Sequence, residues 1–378
     1  MANILDYLTW RGDLTLKESP FNEVDNLILA RLSYFDFDGI IKEGEIITIQ
    51  EAAKRYKTKE NKRILQEEDT ELFPFLGQVA RFQNMKLAGY VNKIEEEAEK
   101  QFSAITIYMP DNSIYVSYRG TDNTIVGWKE DLNMSFKPQV PAQIEAVTYL
   151  EKVANKYYGK VRVGGHSKGG NLAVYAAAFC NKKIEKKIIN VYNNDGPGFD
   201  DFILETENYQ NIVGRVETFV PQSSVIGRLL GHEEKYLVVK SVQKGIMQHD
   251  LYSWQVEGKK FVSLEELTNG SQFVDKTIKD WLKAVSPEQR GECIDILFQI
   301  LESTEATTMS EISRKKFNSA IVLLKTYKNV DEENKRIVVQ TLEVLLKIAK
   351  DNLLEKFPKV REKKIQKEEI EKQEGRLA

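Results

Sequence analysis

Chemistry is easiest to place at Gly165-His166-Ser167-Lys168-Gly169, inside the longer string VRVGGHSKGGNLAVYAA. The G-x-S-x-G pattern suits a serine nucleophile for a mechanical reason: the serine sits in a strained turn between strand and helix, with its hydroxyl exposed above a sheet. Gly165 and Gly169 flank it where side chains would collide with each other and with the backbone, and Gly164 and Gly170 extend the permissive stretch. An apolar strand precedes the turn and an Ala-rich helix follows, which is the required order. The helix presents its N-terminus to Ser167, so the Lys168 N–H is placed to help hold an oxyanion. A glycine-rich phosphate loop is the competing reading, but no GK[ST] closes the run, so this is not a P-loop.

A nucleophilic serine needs a base, and the chain has three histidines. His166 lies within the turn, so its side chain should point into or beside the sheet, away from the serine hydroxyl. That leaves His232 or His249 as general base. His249 follows the last convincing strand, as the base does in the chain order serine, acid, histidine, and is preferred. His232, in RLLGHEEKYL, reads as a solvated loop histidine. For the acid, Asp195 ends the strand after the serine, in VYNNDGPGF, although Asp195-Gly196 is also a common turn pair. Asp200 and Asp201 could cap the next helix, and Asp250, adjacent to the base, should face elsewhere.

These groups must be positioned by surrounding elements. Residues 1–100 carry mainly helical patterns, with Val24, Leu27, Ile28 and Leu32 on one helix face and charged runs such as Lys54–Lys62 on solvated faces. From Phe102 the period changes: SAITIYM and SIYVSYR alternate around Pro110-Asp111-Asn112, which predicts a β-hairpin. An amphipathic helix is expected near Ala142–Tyr157, a strand at Lys160–Gly164 and a small-residue helix at Asn171–Cys180. Apolar runs at Ile188–Tyr192, Val216–Val220 and Tyr236–Val242 alternate with helical or loop material, as in a parallel sheet with crossovers. The spacing therefore predicts an α/β-hydrolase-type sandwich with a mainly parallel sheet over residues 1–262. A helical C-terminal region is expected at 263–357, and a charged tail at 358–378.

Composition bounds the rest. Of 378 residues, 42% are hydrophobic and 29% charged, the balance of a globular protein with a sizeable core. The net charge of −3, from 54 basic and 57 acidic residues, supplies no global field toward nucleic acid or anionic membrane. Cys180 and Cys293 lack CxxC spacing and read as buried thiols in a reducing compartment. The N-terminus has neither a basic lead nor an apolar run of a secretory signal, and a cytoplasmic location is expected.

Ser113–Phe136, with its string IYVSYRGTDNTIVGWKEDLNMSF, and Gly164–Ala177 together resemble the lipase-like α/β-hydrolases, broadly the class 3 lipases, and most closely the bacterial Mbeg1-like family. The likeness runs from about Pro20 to Tyr252; its specific motifs are RGT, the W-x-x-D-L of Trp128–Leu132, and GHSKGG. It implies that Thr121, after the RG pair, lends backbone and hydroxyl donors to an oxyanion hole. A strand ending in Gly120-Thr121 offers the same by itself, a close backbone and a small hydroxyl. MQHDLYSWQV resembles the family's histidine segment, again at His249. The resemblance also places the acid after the second strand beyond the serine, but Val220–Ile226 contains no carboxylate. Either Ser224 orients the imidazole or the acid comes from elsewhere, with Asp195 the leading alternative.

The expected activity is hydrolysis of carboxylic esters through Ser167, His249 and Asp195, with the N–H groups of Thr121 and Lys168 holding the oxyanion. No cofactor or metal is expected, since the few histidines disfavour a metallohydrolase. The expected partner is a small-molecule or lipid ester, met in solution or at a membrane surface, and not nucleic acid. The Lys168 amine is expected in solvent, with contact to an anionic head group as the alternative. The absent carboxylate after Val220 keeps a second function open, a catalytically weak or inactive binding protein or scaffold on the same fold.

Overall fold

A computed structural model describes residues 2–59, 64–122, 124–308, 311 and 316–356. The chain opens with α1 (Ile4–Arg11) and α2 (Glu23–Leu32), whose entry asparagines, Asn3 and Asn22, accept backbone N–H groups and complete capping boxes with Asp6 and Asp25. Then come β1 (Ile46–Thr48), α3 (Ile49–Thr58), α4 (Asp69–Leu76) and β2 (Lys86–Glu95). The stretch expected to be mainly helical thus holds two strands. β2 escapes sequence reading because Gly89 and Asn92 interrupt it and its far end is exposed. Gly89, at φ +65, makes a bulge between Ala88 and Val91, so pairing with its neighbour and not local propensity makes this segment a strand.

The hairpin forms as expected from β3 (Lys100–Tyr108) and β4 (Ser113–Tyr118), with Asn112 turning at φ 58. Helices α5 (Ile125–Asn133) and α6 (Pro141–Asn155) lead to β5 (Lys160–His166), then α7 (Lys168–Phe179), α8 (Lys182–Glu185) and β6 (Ile188–Asn194). Two short helices, α9 (Asp201–Leu204) and α10 (Glu207–Ile212), precede β7 (Val216–Pro221) and β8 (Tyr236–Val239), and β9 (Val256–Glu257) pairs with β10 (Lys260–Phe261). A last strand, β11 (Ser263–Leu264), falls just beyond the boundary expected at residue 262.

Nine strands form one sheet in the order β1-β2-β3-β4-β5-β6-β7-β8-β11. From β4 to β8 every pairing is parallel, and the flanking strands are antiparallel. The fold is therefore α/β, with a parallel centre. Because the parallel strands follow one another in sequence and such crossovers are right-handed, their helices fall on one face. That face is built by α6, α7 and α10 against Val116, Val163 and Val191. The other face must be covered by something else. α1, α2 and α4 do it, packing Leu27, Ile28 and Phe73 with Ile105, Tyr115 and Phe219. Two buried ion pairs pin this cover: Arg81 with Asp25, and Arg31 bidentate on Asp69 at 2.7 and 2.6 Å.

After β11 come α11 (Asn269–Ala284), α12 (Pro287–Glu302), α13 (Lys316–Asn329) and α14 (Glu332–Lys356). Thr268 caps α11, while Ser286 and Gln289 box the start of α12 behind Pro287. Small clusters hold this region: Cys293, Ile296, Ile300 and Val338 inside it, and Ile294 and Phe298 against Ile125 of α5. Cys180 and Cys293 are both free and buried. The charged segment 358–378 lies outside the described residues. Among the described residues no helix is long and apolar enough to cross a membrane.

Candidate active site

β5 delivers the chain into the Ser167 turn and α7 carries it away. Ser167 stands at φ 58, ψ −136, a conformation that costs a side-chain-bearing residue about 1–3 kcal/mol and survives only where the surroundings impose it. The glycines make that turn close: a Cβ on Gly165 would lie 2.3 Å from the Gly169 carbonyl, and one on Gly169 would lie 2.2 Å from the Tyr118 oxygen. The Ser167 N–H donates to the Asn194 carbonyl at 3.0 Å, fastening the turn to the end of β6.

The residue just after that strand is Asp195, itself at φ 53 and fully buried. Its Oδ2 meets His249 Nδ1 at 2.7 Å across 54 residues of chain. A carboxylate only accepts, so Nδ1 carries the proton of this bond and turns Nε2 to the opposite side of the ring. Oδ1 receives the Ser224 hydroxyl at 2.5 Å and the Gly227 N–H at 3.2 Å. Asp195 therefore contacts the imidazole, while Ser224 supports the carboxylate from behind. Asp250 faces away, as anticipated, accepting from Gln66 at 2.8 Å. Asp200 precedes α9 as its cap residue, but its side chain makes no capping bond.

His166 has a role that its sequence position did not reveal. Its Nε2 lies 2.8 Å from the His249 carbonyl, and the two rings sit 4.6 Å apart. Since a carbonyl only accepts, Nε2 holds the proton, and the single proton of the Tyr34 hydroxyl is shared between Nδ1 at 3.2 Å and the His166 carbonyl at 3.1 Å. Burial drives the His166 pKa well below its ordinary value, keeping the ring neutral and this tautomer fixed. Tyr34 also accepts the Gly120 N–H at 3.1 Å, joining the RGT loop to the turn. Neither Tyr34 nor this pairing has a sequence signature; both arise because α2 crosses the sheet beneath the turn.

The RGT loop lies directly against the serine, since a Cβ on Gly120 would come within 2.9 Å of Ser167 Cβ. Among the described residues the Thr121 N–H has no backbone partner, whereas its hydroxyl is bonded to Asp131. The hydroxyl expected as an oxyanion donor is thus committed elsewhere, leaving the N–H. Lys168 departs further from expectation. Its side chain is fully buried, with Nζ 2.9 Å from Glu130 and from Gln101 Oε1, and 3.6 Å from Asp131. Glu130 in turn accepts the N–H groups of Gln101 at 3.0 Å and Ala142 at 2.8 Å. Burial pushes the Asp131 carboxyl up to about 6, against the opposing pull of Lys168 and the Thr121 hydroxyl. A lysine beside the serine is held inward because α5, carrying Glu130 and Asp131 of the W-x-x-D-L motif, packs across the start of α7. Lys168 thus offers its backbone N–H, unpaired by position in the first turn of the helix, and not its amine.

The family model of the Mbeg1-like proteins matches residues 76–299, more than half of the chain. The chain belongs to the Mbeg1-like family. The matched span takes in the RGT loop, the serine turn, Asp195 and His249, and reaches into α12. Among solved structures, that of M37 lipase aligns at 14% identity, over 64% of this chain and 84% of that chain, with a TM-score of 0.35. No curated protein sequence matches.

In this Mbeg1-like protein, Ser167 opens onto a cavity of about 360 Å³. Its floor is the Ser167 turn, Trp128 and Leu132 of α5, and the loops after β6 and β7, including Pro197, Ile226 and Leu229. The roof comes from the helical region, through Ile278 and Trp281 of α11, Ile294 and Leu297 of α12, and Leu342 and Leu345 of α14. The periodic apolar residues Leu342 and Leu345, legible as a helix face, are cavity wall. His232 lies apart from this site. Its side chain is buried and bonded to Glu234 at 2.9 Å, not solvated, and with Thr218 and Tyr209 it holds that carboxylate down to about 2 despite burial. No group of three potential metal ligands occurs among the described residues.

Proposed function

We propose that this protein is a serine hydrolase that cleaves carboxylic esters. The observation that carries the reading is the 2.7 Å contact between Asp195 and His249, with Asp195 following Asn194, whose carbonyl holds the N–H of Ser167 in a strained strand-to-helix turn. Ser167 Oγ attacks the ester carbonyl as His249 Nε2 takes its proton, and Asp195 stabilises the imidazolium through Nδ1–H. The N–H groups of Lys168 and Thr121 receive the developing oxyanion, a contribution of about 3–4 kcal/mol for each well-placed donor. The protonated His249 then returns the proton to the leaving alcohol, and a water activated by the same Nε2 releases the acid from the serine ester.

The apolar roof supports an acyl chain as the group on the acid side of the ester. A cavity of this size and lining takes a medium chain with its carbonyl at Ser167 and its tail among α11, α12 and α14. Glu130 and Lys168 act from below: their ion pair sets the start of α7, and removing one partner of such a buried pair costs about 3–5 kcal/mol. Hydrolysis with no bound cofactor is consistent with these residues alone.

A fluorophosphonate probe tests the reading. Wild-type protein is expected to become labelled at Ser167, and Ser167→Ala to remain unlabelled while unfolding at the same temperature. Well-folded wild type that resists the probe would overturn the proposal in favour of a binding protein on a hydrolase fold.

A further inference from the structure

Three charged side chains line the Ser167 cavity: Asp131, Lys168 and Arg290. Asp131 and Lys168 belong to the paired network below the serine. Arg290 does not. It sits in the first turns of α12, only 6% exposed, and donates from Nη1 to the Ser135 carbonyl. Its Nε is buried without a partner, and among the described residues it forms no ion pair. Asp200 supplies the strongest opposing field, yet burial still lowers the arginine's pKa below its usual range. The group stays charged, because a guanidinium does not give up its proton in a protein. A buried cation with open donors on an apolar cavity is destabilising unless something anionic completes it.

We propose that Arg290 is the anion anchor of the substrate, and that the substrate is an acyl ester whose polar part carries a phosphate group. The proposal rests on the ester-hydrolase reading of Ser167 and names the substrate class. With Nη1 on the Ser135 carbonyl and Nε unpartnered, the planar guanidinium keeps donors of the kind that match phosphate oxygens, and the apolar roof takes the acyl chain. The alternative cation for an anionic head group, Lys168, is already satisfied by Glu130 and Gln101.

The test uses two substrates that differ by one phosphate, 1-dodecanoylglycerol and 1-dodecanoylglycerol 3-phosphate, with wild type, Arg290→Lys and Arg290→Gln. Wild type is expected to favour the phosphate ester in kcat/KM. Arg290→Gln should shrink that preference by about tenfold to a hundredfold, the worth of a hydrogen bond to a charged group, and Arg290→Lys should keep part of it. Equal losses on both substrates would mean that Arg290 only shapes the cavity. A second measurement separates this failure from failure of the hydrolase reading. By calorimetry, Ser167→Ala protein should bind dodecyl phosphate at least about tenfold more tightly than its neutral dimethyl ester, and Ser167→Ala/Arg290→Gln should not distinguish them. Indifference of the single variant overturns the anion anchor whether or not any ester is cleaved. Inorganic phosphate that competes as well as dodecyl phosphate would assign Arg290 to free anions and overturn the substrate claim.

Discussion

The two walls of the Ser167 cavity are held by different forces. The wall that carries Ser167 is backed by a cross-linked polar layer: Asp195 to His249, His166 to the His249 carbonyl, Lys168 to Glu130, with Tyr34 joining turn to loop. The helical wall is mostly apolar toward the cavity, and its helices are held by small clusters such as Cys293, Ile296, Ile300 and Val338 with a few polar ties, among them Trp281 Nε1 to the Thr341 carbonyl at 3.2 Å and Asn352 to Asp280 at 3.0 Å. Hydrogen bonds fix direction as well as distance, whereas apolar contact fixes little beyond volume. On the proposed ester-hydrolase reading the chemistry belongs to the first wall and the choice of substrate to the second, and substitutions on the two sides should fail in different ways.

The largest expected effect lies on the polar wall. Asp195→Asn preserves shape but favours the wrong imidazole tautomer, so kcat should fall by about 10⁴ in ester hydrolysis. A loss of less than about tenfold would remove Asp195 from the machinery and return the question to Ser224. Gly227→Ala acts on the same carboxylate from behind, since the new Cβ would lie 2.2 Å from Asp195 Oδ1. Displacing the acid by a fraction of an ångström should lower kcat by about a hundredfold with little change in KM. Unchanged kinetics there would show that the acid needs no such precise seat.

Across the cavity, Leu345→Ala should act on selectivity. The ratio of kcat/KM for long- over short-chain esters is expected to fall by about tenfold, as a few methylenes lose their contacts. A proportional loss on every chain length would break the division between the walls. The smallest effect concerns stability. His166 is neutral when folded, with its pKa well below the ordinary value, while the unfolded histidine titrates near about 6.5. Below that pH the unfolded state binds more protons, so stability should fall as pH drops, by up to about 1.4 kcal/mol per pH unit. His166→Asn should flatten that slope in chemical unfolding between pH 6.5 and 5, measured against wild type.

The parts of this protein legible in its sequence are those governed by local geometry. A strained turn demands small residues at fixed offsets, so Gly165 and Gly169 marked Ser167; alternation and turn residues marked β3, β4 and the parallel strands. With so few histidines, chain order alone pointed to His249. β2 was hidden because its strand character comes from a neighbour, and the acid stayed open between Asp195 and Ser224 because their relation is spatial. Lys168 misled most. A lysine on a first helical turn reads as solvated, and only the packing of α5, which brings Glu130 and Asp131 over it, reverses that.

The amino-acid order by itself thus determined the strained Ser167 turn, the α/β alternation and the helical character of the C-terminal region, because each follows from residue types a few positions apart. The tertiary structure alone decided that Asp195 touches His249, that His166 steadies it, and that α11, α12 and α14 roof the cavity, with Arg290 in its wall forming no ion pair among the described residues. Those contacts join residues tens to hundreds of positions apart, and no local periodicity encodes which distant faces will meet.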